Sequence, residues 1–316
     1  MKHILLLSFI LLVSVAQAQS LASAIDQYNK KQLDQAKTGF KAIKSNSSDY
    51  AEALFYLGRI AFDKKEFEDA AEYFRSAIDK KEDVAKYHTW YGNAIGTLTQ
   101  SASKIRQGFM APKIKNAYER AVALDPKDLD AQWGLVEFYS QAPGFMGGSW
   151  ENALKAADDI AKVNKVEGHR AKVTIYQRQE AWGLAEKEFV ALAELDPRFL
   201  GGLGVFYQNR GNYSKSSEAF ENDLKLNQEN WGSVYQIGKN SAISGTNLTR
   251  GIECLNLYLA AERGKNLPSH SGANARLGMI YAHLGEKEKA KALFEKALEQ
   301  DPTMDLAKAG LKTLKN

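Results

Sequence analysis

The feature that most constrains this chain is that it repeats its own residues at a spacing of 34. Ala36 and Phe40 recur as Ala70 and Phe74, and Gly58 recurs as Gly92, each displaced by 34 positions. Three units carry the pattern strongly, and it is degenerate around Tyr28 and Gly238. One runs Leu57-Gly58, Phe62, Phe67, Ala70, Phe74, Ala77; another is Gly204, Tyr207, Gly211, Tyr213, Phe220. A third reads Leu277-Gly278, Tyr281, Gly285, Ala290, Phe294, Ala297, then Pro302. A fixed period of this length belongs to a stack of similar units, which grows by addition and not by enlarging one core. Within each unit, apolar residues three and four apart mark a first helix, then a short turn, then a second helix. Small residues (Gly58, Ala70, Ala77) allow the two helices to approach, and large ones (Leu57, Phe62, Phe74) fill the space around them. An ordinary helical bundle has no reason to repeat a small-and-large code at constant period.

The second helices are expected at about 35–45, 68–81, 113–124, 150–163, 183–195, 214–226, 249–263 and 287–299. Asp125-Pro126, Asp196-Pro197 and Asp301-Pro302 end three of them, because proline cannot continue the ladder and disfavours a helical residue before it. Residues 303–316 read as a capping helix with a polar outer face, which a repeat array needs to cover its exposed apolar end.

These residues resemble the tetratricopeptide repeat, two helices per 34 residues, over about residues 21–302. The resemblance implies an all-α fold, an α-solenoid of tandem helix-turn-helix repeats wound as a right-handed superhelix. It also implies a concave groove lined by first helices, in which a protein or peptide partner would sit. Carried over by register, the groove positions are Phe55, Arg59 and Asp63, then Thr89 and Asn93, then Trp133 and Glu137. Arg170, Thr174 and Arg178 follow, then Tyr235 and Lys239. Arg170, Thr174 and Arg178 are four apart and share one helix face. That face either holds a ligand carboxylate by charge-assisted hydrogen bonds or pairs with acidic residues of a neighbouring helix. The lysine-and-asparagine clamp that some family members use for carboxylates is not clearly present.

Two stretches break the period. Gly58 and Ala70 are 12 apart, whereas the corresponding Gly92 and Ile114 are 22 apart. The extra residues predict a lengthened first helix and an expanded turn near 97–112. A second expanded turn is expected at 141–149, where Pro143 and three glycines precede Ser149, a good helix N-cap. Its Pro-Gly-x-x-Gly-Gly run resembles an insertion in a group of exported bacterial repeat proteins. Gly108-Phe109-Met110 and Gly144-Phe145-Met146 place the same apolar tripeptide in successive turns. Phe109, Met110, Phe145 and Met146 therefore either pack on one another or form a patch for a partner.

The N-terminus is a separate signal. Lys2, an apolar run from Ile4 to Val15 and the Ala16-Gln17-Ala18 site read as a secretory leader covering residues 1–18. The run is too short to span a bilayer, which takes about 20 apolar residues. The repeat array then covers 19–302, and the expected location is the periplasm, with secretion as the alternative. With 42 basic and 38 acidic residues, the charge is too balanced to argue for nucleic acid. The single cysteine, Cys254, allows no intramolecular disulfide and reads as a small buried hydrophobe.

Catalytic signals are missing. The glycine-rich runs at 144–149 and 201–204 lack the Gly-Lys-Ser/Thr of a phosphate loop, and the second also lacks the strand a dinucleotide site needs. None of the five histidines has a second His or a Cys three or four residues away, so no helical metal pair is expected. The expectation is a non-enzymatic, cofactor-free scaffold or adaptor for a protein or peptide in the cell envelope. The alternative is a helical-repeat receptor or accessory subunit for a small ligand or an envelope enzyme complex.

Overall fold

The computed structural model describes residues 20–262 and 267–315. The expected leader, residues 1–18, lies outside them. Among the described residues the chain is helical throughout, with two short 3-10 turns and no strand. The helices come in pairs: α1 (Ser20–Asn29) with α2 (Leu33–Lys41), α3 (Tyr50–Asp63) with α4 (Phe67–Lys80), and α5 (Ala85–Gln100) with α6 (Lys104–Leu124). Then come α7 (Leu129–Gln141) with α8 (Trp150–Val163), followed in the chain by α9 (Lys165–Arg178) and α10 (Trp182–Leu195). The rest are α11 (Leu200–Asn209) with α12 (Tyr213–Leu226), α13 (Trp231–Ser244) with α14 (Leu248–Ala260), and α15 (His270–His283) with α16 (Lys287–Gln300). A last helix, α17 (Asp305–Leu314), follows.

The chain divides into two compact units, one up to Glu188 and one from Phe189. Each is an α-solenoid of tandem pairs. In the first, α1 touches α3, α3 touches α5, α5 touches α7 and α7 touches α9, so first helices form a continuous layer. In the second, α13 touches α15 and α15 touches α17, which puts the last helix in the place of a further first helix.

Local chemistry explains the boundaries. Three second helices, α6, α10 and α16, stop at the residue before an Asp-Pro pair. Several helices begin under a side-chain cap. Asp128 accepts from the Ala131 amide at 3.0 Å, Ser149 from Asn152 at 3.2 Å and Asn164 from Glu167 at 3.2 Å. Second helices bury one stripe, as in α8, where Ala153, Ala156, Ala157 and Ile160 are inside.

The contact that sets four of the pairs is a ring laid on a glycine. A Cβ on Gly58 would lie 2.6 Å from the Phe74 ring, on Gly92 2.8 Å from Tyr118, on Gly204 2.7 Å from Phe220 and on Gly278 2.8 Å from Phe294. The second-helix ring thus rests on bare first-helix backbone, closer than any side chain would allow. Ring follows glycine by 16 residues in three of these pairs and by 26 in the Gly92–Tyr118 pair. The same contact therefore survives an insertion of ten.

Those ten residues are helical. The first helix is lengthened as expected, with α5 continuing to Gln100, but in place of an expanded turn the second helix α6 begins at Lys104 and not near 113. Gly108 and Pro112 read as helix breakers, yet both lie within α6. Ser103 caps the start by accepting from the Arg106 amide, and Met110 and Ala111 pack on the core of the first unit. Packing offsets the poor propensity. The expected turn at 141–149 is a loop around a 3-10 turn, Gly144–Met146, with Gly147 in the left-handed region at φ 99°.

Ring-on-glycine packing predicts opposite outcomes for two Gly→Ala changes. Gly58→Ala forces the buried Phe74 ring aside and is expected to cost roughly 1–3 kcal/mol. Gly96→Ala, whose Cβ meets nothing nearer than the Tyr118 hydroxyl at 3.8 Å, is expected to gain about 0.5–1 kcal/mol of helix stability. Chemical denaturation of the two variants checks the pair; equal effects would remove the packing argument.

Candidate functional site

First helices carry the candidate surface in both units. In the first unit, Arg59 lies among aromatic rings. Its guanidinium carbon sits 3.7 Å from the Trp90 ring centroid, 5.7 Å from Tyr28 and 5.9 Å from Phe55. Its Nε is buried without a hydrogen-bond partner. The Tyr28 hydroxyl donates to Asp63 at 2.8 Å, and burial, with that bond second, pushes the phenol up to about 12. Phe55 was expected in the groove but is a core residue. Only 3% of it is exposed, because Tyr87 of the next first helix stacks on its ring with centroids 5.2 Å apart.

Further along the unit, the candidate arginines have acidic partners. Arg170 donates to Glu167 at 3.0 Å and lies over the Trp133 ring at 5.0 Å, while the Trp133 indole donates to the same Glu167 at 2.9 Å. Arg178 donates to Glu137 at 2.7 Å and to the Ser140 hydroxyl at 2.5 Å, tying α9 to α7. Gln141 also donates to Glu137. Of the two readings of this face, the geometry supplies the pairing with protein carboxylates. Thr174 is half-buried and its hydroxyl donates back to the Arg170 carbonyl at 3.0 Å. Asn93 is used internally, accepting from the Tyr118 hydroxyl at 2.8 Å, and Thr89 is buried, donating to Asp128 at 2.7 Å.

The second unit differs in its charges. Its first helices α11, α13 and α15 contain no Asp or Glu, and their only Lys and Arg are Lys239 and Arg276. Lys239 donates to Gln208 at 2.7 Å. Gln208 in turn donates to Asn240 at 2.6 Å, and Asn240 donates to Ser216 at 2.8 Å. The lysine therefore stands on a buried neutral network and not on a carboxylate. Burial, and after it the charge of Arg276, holds its ammonium below the ordinary lysine range. Arg276 lies 5.2 Å over the Tyr235 ring and donates to the Gly272 carbonyl at 3.2 Å, while its Nε is buried and unpartnered. Tyr235, expected as a groove contact, is only 5% exposed, being tilted against Tyr258 and covered by Arg276.

Register reasoning missed Trp90 and Arg276. Both stand two residues before the repeat glycine, and both reach back to the preceding pair, Trp90 to Arg59 and Arg276 to Tyr235. That shared offset was the available signal. Of the expanded-turn residues, Met110 and Met146 pack on the core of the first unit. Phe109 and Phe145 do not, being 73% and 86% exposed. Cys254 is buried and its thiol is pushed up to about 11 by burial, which suits packing and not nucleophilic chemistry. Among the described residues no group of three or more His, Cys, Asp or Glu is placed to hold a metal ion, and no helix is long and apolar enough to cross a membrane.

Tandem helix pairs with glycine-seated rings define a helical-repeat solenoid. Two family models described as tetratricopeptide repeat match the chain, at residues 21–85 and 272–304. The C-terminal part of a repeat-containing protein of this kind from Cytophaga hutchinsonii superposes with a TM-score of 0.52 at 14% identity, covering 92% of this chain and 99% of that one. A tetratricopeptide repeat protein from Parabacteroides merdae gives 0.45 at 16% identity, covering 95% and 99%. No curated protein matches the chain. At these two segments the chain carries tetratricopeptide repeats, and repeats of this kind suit protein–protein interaction or a scaffold role.

The Arg178–Glu137 bond is partly exposed, so its value is expected to be small. A double-mutant cycle with Arg178→Ala and Glu137→Ala should give a coupling of about 0.5–1 kcal/mol in thermal or urea unfolding. A coupling near zero would show that the bond does not hold α9 to α7.

Proposed function

We propose that this chain is a non-catalytic, exported scaffold that holds a protein or peptide partner in the cell envelope, gripping an acidic segment of it at Lys239 and Arg276. One observation carries the assignment: two cations lie within electrostatic reach of each other on first helices that hold no carboxylate, and one guanidinium nitrogen there is buried without a partner. Two like charges raise each other's cost until an anion joins them. A partner carboxylate accepting from both would relieve the repulsion and complete the guanidinium's hydrogen bonding. The leader-like residues 1–18 support export. In the first unit, Arg170 and Arg178 already have carboxylates, so they serve the fold more than the ligand.

A second reading, a receptor for a small ligand, draws on a cavity of about 600 Å³ in the first unit. It is lined by Asn93, Gln107 and Gln141 on one hand and by Phe62, Ile114 and Phe138 on the other.

Calorimetric titration with a peptide ending in several Asp and Glu residues tests the scaffold reading. Binding is expected to fall roughly tenfold or more in the Lys239→Ala, Arg276→Ala double variant, with its melting temperature unchanged. Binding should also weaken with rising pH sooner than an ordinary lysine would dictate, because the Lys239 ammonium is held low and only its protonated form attracts the peptide. Undiminished binding in the double variant would sink the assignment of the site. A neutral small molecule that saturates the cavity while acidic peptides do not bind would favour the second reading.

A further inference from the structure

The ten-residue insertion gives α6 a second apolar face. One face is buried in the ordinary way, through Ala111, Ile114, Ala117 and Ala121. On the opposite side, Ile105, Phe109 and Pro112 recur at i, i+4 and i+7 and form one stripe. Ile105 is 77% exposed and Phe109 73%, and Phe145 at the neighbouring 3-10 turn is 86% exposed. These are the three most exposed large apolar side chains among the described residues. They belong to one surface, because the 3-10 loop lies along α6. The Met146 methyl is 3.8 Å from where a Gly108 side chain would be, and Lys115 is equally close to Gly147.

Charge around this surface has one sign along the helix. Lys104, Arg106, Lys113 and Lys115 flank the stripe, and no Asp or Glu occurs from Val84 to Tyr118. The nearest carboxylate bonded to any of them is Glu68, which Arg106 meets at 3.5 Å with both side chains largely exposed. From Phe138 to Trp150 the chain carries no charge at all.

We propose that this face docks on an anionic lipid surface, with Ile105, Phe109 and Phe145 entering the headgroup boundary and the four cations lying against lipid phosphates. Three features favour that occupant. Apolar residues flanked by Lys and Arg are the pattern of helices that lie in the membrane interface. The side chains stand out from the surface, whereas a partner helix would need a groove to lie in. A second copy of the chain is disfavoured because a two-fold interface sets each patch against itself, bringing the four cations against their own copies. The proposal is independent of the Lys239–Arg276 site, which lies in the other unit.

Vesicle co-sedimentation of the chain from residue 19 tests it. The protein is expected to bind vesicles of phosphatidylcholine with about a third phosphatidylglycerol and to release in high salt, and not to bind phosphatidylcholine alone. The Ile105→Gln, Phe109→Gln, Phe145→Ser variant should bind roughly tenfold or more weakly with an unchanged melting curve, since all three residues are exposed. Lys104→Glu with Lys113→Glu should do the same. The Lys239→Ala, Arg276→Ala variant should bind vesicles like the wild type, which separates this face from the peptide site. The proposal is overturned if the wild type fails to sediment, sediments equally with neutral lipid, or is matched by the apolar variant. It is also overturned if the wild type is a dimer that the apolar variant makes monomeric, or if an acidic amphipathic peptide binds here while vesicles do not.

Discussion

The packing of four helix pairs depends on a ring resting on glycine backbone. Phe74 on Gly58, Tyr118 on Gly92, Phe220 on Gly204 and Phe294 on Gly278 hold the two helices of a pair closer than facing side chains permit. Gly238 does the same with the smaller Leu255. Because the glycine faces its own second helix, the residues on either side of it along the helix are turned elsewhere. The one just after it (Arg59, Lys239) lies on the layer shared by first helices, and the one two before it (Trp90, Arg276) reaches the preceding pair. A packing contact thereby orients the polar side chains that a partner would meet.

First helices in the two units reach opposite electrostatic results. On α7 and α9, Glu137 and Glu167 are close enough to engage Arg178 and Arg170, and the surface is locally neutral. On α11, α13 and α15 there are no carboxylates, and the lysine and arginine that remain are supported by neutral amides and a tyrosine ring. Amides and rings orient a cation without neutralising it. Such a site keeps its attraction for an anion, whereas a cation already paired with a fixed carboxylate has little left to offer.

The inserted residues show how a repeat tolerates added chain. Tyr118 still covers Gly92, so the pair is unaltered where it packs, and the extra length becomes additional turns of helix beyond the contact. Those turns have only one side against the protein. Their outward side is free of the repeat pattern, and it is there that Ile105 and Phe109 stand exposed.

The period of 34, the pairing of helices and most helix ends were legible in the residues alone, because they depend on spacing along the chain and on local chemistry. Asp-Pro stops α6, α10 and α16, and glycine answers aromatic at 16 residues. The fate of residues 104–112 was not legible. Gly108 and Pro112 are breakers by propensity, and burial of Met110 and Ala111 against other helices outweighs them. Nor was the state of the charges. Arg178 and Glu137 are 41 residues apart, and nothing in their spacing says that they meet at 2.7 Å. Likewise Phe55 and Tyr235 occupy groove register but are covered by Tyr87 and Arg276 from the next first helix. Repetition along a chain determines which residues are equivalent; whether an equivalent residue is paired, covered or free is decided by its neighbours in the adjacent repeat, and those come together only when the helices pack.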